Sequence, residues 1–386
     1  MALVVLLSHA SILSGGLESF PKLFGYGMAA VDVFMFVSGF LMFWHYEGRE
    51  AKEPWESADT WRTFWTRRFF RIAPLYWLAL TAVYLAHAPL EHAISTVHGT
   101  FYGAGPERVD RALSVGNVAS HYSFVFGLVP QWASNNALPD WSIGLEMQFY
   151  AVFPFLALAI RRCGWLVVGI SCLALWQWSV EKISVGMGRP SGDWGWFPMA
   201  SFLPLRLGVF LAGMIAAAGL RRMGKPVVIA VLTAVALGRM QSTVLAAFIL
   251  AFLGWEIFAA LGVLPRVTKL GEGVFSSRPV RFAADCSYGV YLLHYPIQVL
   301  VAASLVRSGF LDRAVHERLL ILLGITLPLT LAAAWCCHRF IEMPGIAMGK
   351  RILARRSREG LDVERVEGGD RARALETEAG AGLGDG

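Results

Sequence analysis

Charged side chains are scarce in this chain. Asp, Glu, Lys and Arg make up 16% of its 386 residues, well below the roughly 25% of a soluble domain. That shortfall argues against a water-soluble globule. Cysteine is also sparse. Cys163, Cys172, Cys286, Cys336 and Cys337 lie in or beside apolar runs and show neither CxxC nor Cys/His metal spacing. They are expected to be buried, inert thiols, forming neither a disulfide framework nor a zinc site. No internal repeat, cleavable signal peptide or appended soluble domain is expected from the sequence. Repeat architectures and processed secreted domains therefore find no support.

What the chain does have is apolar length. Hydrophobic residues reach 56%, with 14 Trp and 25 Phe suited to lipid-facing surfaces and interfacial belts. Apolar segments run over Met1–Leu13, Gly27–Trp44, Phe69–Ala86, Ile143–Ile160, Gly164–Val180, Phe202–Leu220, Val227–Leu237, Thr243–Leu264, Phe282–Leu305 and Leu319–Trp335. Most approach the roughly 20 residues of a membrane-spanning helix, and Met1–Leu13 and Val227–Leu237 fall short. The expected fold is all-α, a polytopic membrane protein of about ten transmembrane helices.

Alternate loops carry the positive charge: Arg49 to Arg71, Arg161 and Arg162, Arg221 to Lys225, Arg266 to Arg281, and Lys350 to Arg358. The positive-inside rule then puts both termini in the cytoplasm and the protein in the inner (cytoplasmic) membrane. The net charge of +6 is read as this loop bias and not as a nucleic-acid surface. The long loop from His87 to Asp140 falls on the outer side. Its apolar middle, Tyr122–Pro130, is expected to be re-entrant or interfacial. Residues 1–345 form the transmembrane domain. Residues 346–386, basic and then rich in Gly, Glu and Arg, are expected to be a disordered cytoplasmic tail.

Several ionisable groups fall inside apolar segments, where desolvation makes them costly and marks functional sites. Helical rise brings His9, Asp32, Glu146 and His294, from four different helices, toward one depth in the outer half of the membrane. An imidazole beside a carboxylate suits a general base that accepts a hydroxyl proton. Structural readings compete with that one. His294 can simply hydrogen-bond a neighbouring helix, and Asp32 can serve as partner to an Arg. Arg206, another intramembrane cation, can pair with any of the carboxylates. Toward the opposite face, Arg68 and Arg71 share one side of the third span. Guanidinium groups there suit a phosphorylated ligand, with positive-inside anchoring as the alternative. A phosphate clamp at one depth and an acid–base pair at another fit acyl-coenzyme A. The residues alone define a membrane transferase or a transporter.

These segments resemble the membrane-bound acyltransferase-3 family from about His9 to Pro344. The resemblance is carried by His9, by Ala30-Val31-Asp32-Val33-Phe34 through Ser38-Gly39-Phe40, and by Arg67 to Tyr76. It continues through Trp141, Ser142, Glu146, Phe149 and Tyr150, then Ser287 to Pro296, and closes on Glu342 and Pro344. It implies an O-acyltransferase moving an acyl group, expected to be acetyl, from acyl-CoA to a hydroxyl of a surface polysaccharide, exopolysaccharide or lipid-linked sugar. It also implies His9 as base assisted by Glu146, with Arg68 and Arg71 for donor binding. Asp32, Trp141, Ser142, Tyr150, Arg206 and His294 then support substrate or structure. No resident cofactor and no metal are expected, and the partners are acyl-CoA, the carbohydrate acceptor and membrane lipid. The alternative is a multi-span transporter of a polar or glycolipid substrate, and a third option is a small-molecule or lipid acceptor. The chain departs from the family pattern twice. An Arg or Lys eleven residues before the first-span His would precede Met1, so the natural chain is expected to begin earlier. A Glu three residues after Arg206 is replaced by Val209.

Overall fold

The computed structural model describes residues 1–19, 21–103, 112–133, 135–185, 196–222, 225–263 and 265–356. The chain adopts the all-α architecture expected of it. Its helices are α1 (Ala2–Leu13), α2 (Pro21–Glu47), α3 (Ala58–Leu85), α4 (His87–Tyr102), α5 (Val115–Tyr122), α6 (Trp141–Lys182) and α7 (Leu207–Arg221). They continue as α8 (Lys225–Gln241), α9 (Thr243–Ala260), α10 (Pro265–Phe275), α11 (Arg278–Asp285), α12 (Ser287–Val306) and α13 (Val315–Cys337). Among the described residues, strand is limited to a two-residue parallel pairing of Ser184–Val185 with Trp196–Phe197.

Among the described residues, six helices are long and apolar enough to cross a membrane, or seven if the bent pair α3 and α4 counts as one span. This is fewer than ten, for identifiable reasons. Ile143–Ile160 and Gly164–Val180 share the single 42-residue run α6. The runs Ala2–Leu13 and Val227–Gln241 are short, and the segment Phe69–Ala86 belongs to the pair bent by 77°. At ~1.5 Å per residue α6 is roughly twice the thickness of a hydrocarbon core. Gly164, at φ 82°, breaks it beside Arg161 and Arg162. Only glycine adopts that angle without strain.

The bundle is held tightest between α2 and α7, its most extensive helix pair. Gly39 lies against the Phe210 carbonyl and Gly213 against the backbone of Phe36 and Phe40, so a Cβ at either position would collide with main chain. Small residues at such crossings let helix backbones approach closely in a membrane, where packing supplies most of the association. Paired contacts also fix relative directions. Tyr46 meets Phe153 while Ser38 meets Glu146, so α2 and the first half of α6 run the same way. Trp65 bonds the Tyr150 carbonyl and Tyr76 bonds Asp140, so α3 runs opposite to them. Leu6 packs with Cys286 and Val290, and His9 with Tyr295, making α1 and α12 parallel.

Within Tyr122–Pro130, Phe124 and Phe126 are buried against Tyr76 at 4.9 and 6.4 Å, while Val125 and Leu128 stay exposed. Two expectations are corrected. The basic run after residue 346 does not begin a tail. Helix continues from α13 through a π turn at His338–Glu342 to Arg356. Gly345 and Gly349 seat it closely on Pro74 and Phe70 of α3. Residues 357–386 lie outside the described residues. Of the five cysteines, Cys163 and Cys336 are exposed, not buried; all are free thiols.

Candidate active site

The titratable groups expected at one depth form three separate arrangements. His9 and His294 make the first. His9 Nδ1 lies 2.8 Å from His294 Nε2, with ring centroids 5.0 Å apart. His294 is fully buried, and its Nδ1 lies 3.0 Å from the Val290 carbonyl one turn earlier on α12. A carbonyl only accepts, so His294 carries its proton on Nδ1, and in the neutral ring Nε2 is a bare acceptor. His9 must then donate its own Nδ1 proton to that nitrogen. The chain of donors leaves the lone pair of the pair on His9 Nε2, which has no hydrogen-bond partner among the described residues. His9 is half-buried, whereas His294 is fully buried. Beside this pair, buried Gln298 donates to the Leu6 carbonyl at 3.0 Å and ties α12 to α1. Neither the pairing partner of His9 nor the role of Gln298 is visible in sequence order, since the contacting residues lie 285 and 292 positions apart.

Glu146 belongs to the second arrangement, with Ser38, Tyr150, Arg68 and Arg71. Its Oε1 accepts from Ser38 Oγ at 3.0 Å and from the Tyr150 hydroxyl. Both bonds fall on one oxygen, which leaves Oε2 for a cavity of about 510 Å³ that Glu146 lines. Arg68, Arg71, His45, Ser142, Tyr288 and Tyr291 line the same space. The Arg68 guanidinium stands 5.7 Å from the ring centroids of both Phe64 and Tyr150. Arg71 is exposed and borders the cavity. Both guanidinium groups act electrostatically on the buried Glu146 carboxylate.

The third arrangement is structural. Asp32 lies on the face of α2 turned away from the cavity, and its Oδ1 is 3.2 Å from Arg206 Nε. The two atoms are close but not aligned for a hydrogen bond. Arg206 Nη1 donates instead to Gln241 at 2.5 Å. With Val209 buried where the family pattern has Glu, Asp32 supplies the counter-charge from another helix. Trp141 is buried next to Ser142 at the start of α6. Just before it, Asp140 accepts from Tyr76 at 2.8 Å and Asn136 at 3.0 Å, which pins α3 and the preceding loop to that helix start.

The structure thus separates what helical rise had placed together. Ser142 Oγ and the Tyr291 hydroxyl, 2.6 Å apart, set the register between α6 and α12. Glu146 lies one turn beyond Ser142 and His294 one turn beyond Tyr291 in the opposite direction. Roughly 10 Å of helical rise therefore separates the carboxylate from the imidazole pair. Its hydrogen bonds go to Ser38 and Tyr150, and His9 is oriented by His294. The order along the bundle is Arg68, then Arg71 with Glu146, then Ser142 with Tyr291, then His294 with His9. The cavity ends at Val5, Ser142 and Tyr291, one helical turn short of the imidazoles.

A helical bundle of lipid length, with cations at one end of a largely apolar cavity and an oriented imidazole beyond the other, is a multi-pass membrane protein built around an internal chamber. The acyltransferase domain of the acyltransferase-3 family matches residues 1–339, and the chain belongs to that family. The exopolysaccharide production protein ExoZ of Rhizobium meliloti (strain 1021) is similar to it, 34% identical over 134 residues. That match spans 34% of this chain and 34% of the relative, about a third of its length. No solved structure matches the chain.

Proposed function

We propose that the protein is an integral-membrane O-acyltransferase that moves an acyl group, with acetyl the expected one, from acyl-CoA to a sugar hydroxyl in exopolysaccharide or another surface glycan. The observation that carries this reading is the linear order of the site. Two guanidinium groups without ion-pair partners among the described residues stand at one end, and an imidazole with a directed lone pair stands beyond the other. Acyl-CoA has that same polarity, phosphates at one end of a long arm and a thioester at the other. Arg68 and Arg71 take the phosphates through paired, charge-assisted donors. Glu146 holds Tyr150 and Ser38 in place and balances the two cations, so its part lies in the donor cavity and not in contact with His9.

At the far end His9 Nε2 takes the proton of the acceptor hydroxyl as its oxygen attacks the thioester carbon. The C–S bond breaks, and the departing coenzyme A thiolate receives the proton. Such a positioned base contributes about 10²–10⁴-fold to rate. The positive charge of alternate loops supports an orientation with the Arg68 end, and the end of the last helix, on the cytoplasmic side of the inner membrane, where acyl-CoA is available. The resemblance to an exopolysaccharide production protein supports a carbohydrate acceptor, free or lipid-linked.

The test compares ester content of surface glycan in cells carrying wild type, His9→Ala and Glu146→Ala at matched expression, with coenzyme A affinity measured on each purified protein. Ester should vanish in both variants. Affinity should survive in His9→Ala and fall in Glu146→Ala. Unchanged acylation in both variants overturns the assignment.

A further inference from the structure

The cavity is lined by six hydroxyl groups, those of Ser38, Ser142, Tyr150, Ser287, Tyr288 and Tyr291, and their protons can be followed one at a time. Ser38 and Tyr150 give theirs to Glu146 Oε1. Ser287 donates to the Ala284 carbonyl at 2.7 Å, and Tyr288 to the Ile72 carbonyl at 3.0 Å. The remaining two, Ser142 and Tyr291, share a single hydrogen bond of 2.6 Å. Two protons and one bond leave one proton without an acceptor among the described residues.

The 2.6 Å contact allows either hydroxyl to donate. Tyr291 is the more exposed of the two residues, half-buried where Ser142 is buried. With Ser142 donating to the phenol oxygen, the phenol proton is free for a ligand. The Tyr291 ring centroid is 6.1 Å from that of His294, at the end of the cavity nearest the imidazole pair.

We propose that Tyr291 is a catalytic residue that donates a hydrogen bond to the carbonyl oxygen of the donor thioester, with Ser142 as the positioning residue that orients it. This rests on the acyl-CoA reading above. When the acceptor oxygen adds to the thioester carbon, the C=O electron pair moves onto oxygen, and the Tyr291 proton stabilises that oxyanion. The pair returns as C–S breaks, the thiolate leaves, and the proton held by His9 passes to sulfur. Donors aimed at a developing oxyanion are each worth roughly 10²–10³ in turnover.

The experiment uses the purified full-length protein with acetyl-CoA, in membranes supplying native acceptor. It measures thiol release, coenzyme A affinity and melting temperature for wild type, Tyr291→Phe, Ser142→Ala and the double variant. Tyr291→Phe should lower thiol release about 100-fold or more while coenzyme A affinity changes less than about threefold, which also shows that the variant is folded. Ser142→Ala should lower release less, and adding it to Tyr291→Phe should lower release no further, because it acts through the phenol. Release within about threefold of wild type in Tyr291→Phe, or a loss of release matched by loss of coenzyme A affinity, overturns the proposal. If wild type neither binds coenzyme A nor releases thiol, the donor reading itself falls, an outcome distinct from an active wild type with an indifferent Tyr291→Phe.

Discussion

Replacing His294 with Phe removes one hydrogen-bond acceptor and leaves a ring of similar shape. In the wild-type protein His294 Nε2 is 2.8 Å from His9 Nδ1, and that bond is what fixes the free lone pair on His9 Nε2. With Phe in its place the Nδ1 proton of His9 faces a hydrocarbon edge. An unsatisfied buried donor costs about 1–3 kcal/mol. The imidazole escapes that cost by flipping or by moving its proton to Nε2, and either change withdraws the base. At about 1.36 kcal/mol per decade, transfer should fall roughly 5- to 150-fold. His9→Ala, which removes the base altogether, should cost about 10²–10⁴-fold. His294→Gln offers a side-chain carbonyl in place of Nε2 and should recover part of the loss. The assay is thiol release from acetyl-CoA, read beside glycan ester content at matched protein level. Full activity in His294→Phe refutes the tautomer argument. So does a loss in His294→Gln as deep as in His294→Phe, because the argument needs only an acceptor at that place.

Arg68→Ala and Arg71→Ala should each weaken coenzyme A binding about 10- to 150-fold, from the ~1.5–3 kcal/mol of a charge-assisted bond; isothermal titration against coenzyme A and its dephosphorylated form checks this. The corresponding Lys variants should lose less, since charge is kept and only the paired donors are lost. Asp32→Asn leaves the Arg206 guanidinium without its counter-charge and should lower the melting temperature by an amount reflecting up to about 3 kcal/mol. Coenzyme A affinity should not change, because Asp32 faces away from the cavity; a changed affinity with an unchanged melting temperature contradicts the structural role.

The apolar runs made the bundle legible, because helix length and lipid thickness constrain each other. The 42-residue α6 was legible as two segments since Arg161, Arg162 and Gly164 interrupt its hydropathy. Helix α4 was not foreseen, although Leu90, Ala93 and Val97 are spaced for one buried face and are buried. Its place inside a long polar loop masked that pattern. Asp32 was legible as an ion-pair partner, and Arg206 was among the cations available. The depth of Glu146 was misjudged for a physical reason. Helical rise measures distance from a helix's own end, whereas the stagger between helices is set by side-chain packing that no single segment reveals. Tyr291 stood within the Ser287 to Pro296 segment without a role of its own. Its signal was its spacing, three residues before His294 and therefore on the same helical face.

The glycine contacts between α2 and α7 bear on how such a site can change over evolutionary time. Because Gly39 and Gly213 press backbone against backbone, the wall of α2 that carries Ser38 is held from behind and cannot slide to suit a new ligand. Residues on its cavity face, such as Phe34 and Leu41, are then free to vary in size without loosening the bundle. A new acyl length can be accommodated there by substitution alone, with the imidazole pair and the arginine pair left at a constant separation. The seam makes the chamber a fixed frame whose lining is exchangeable.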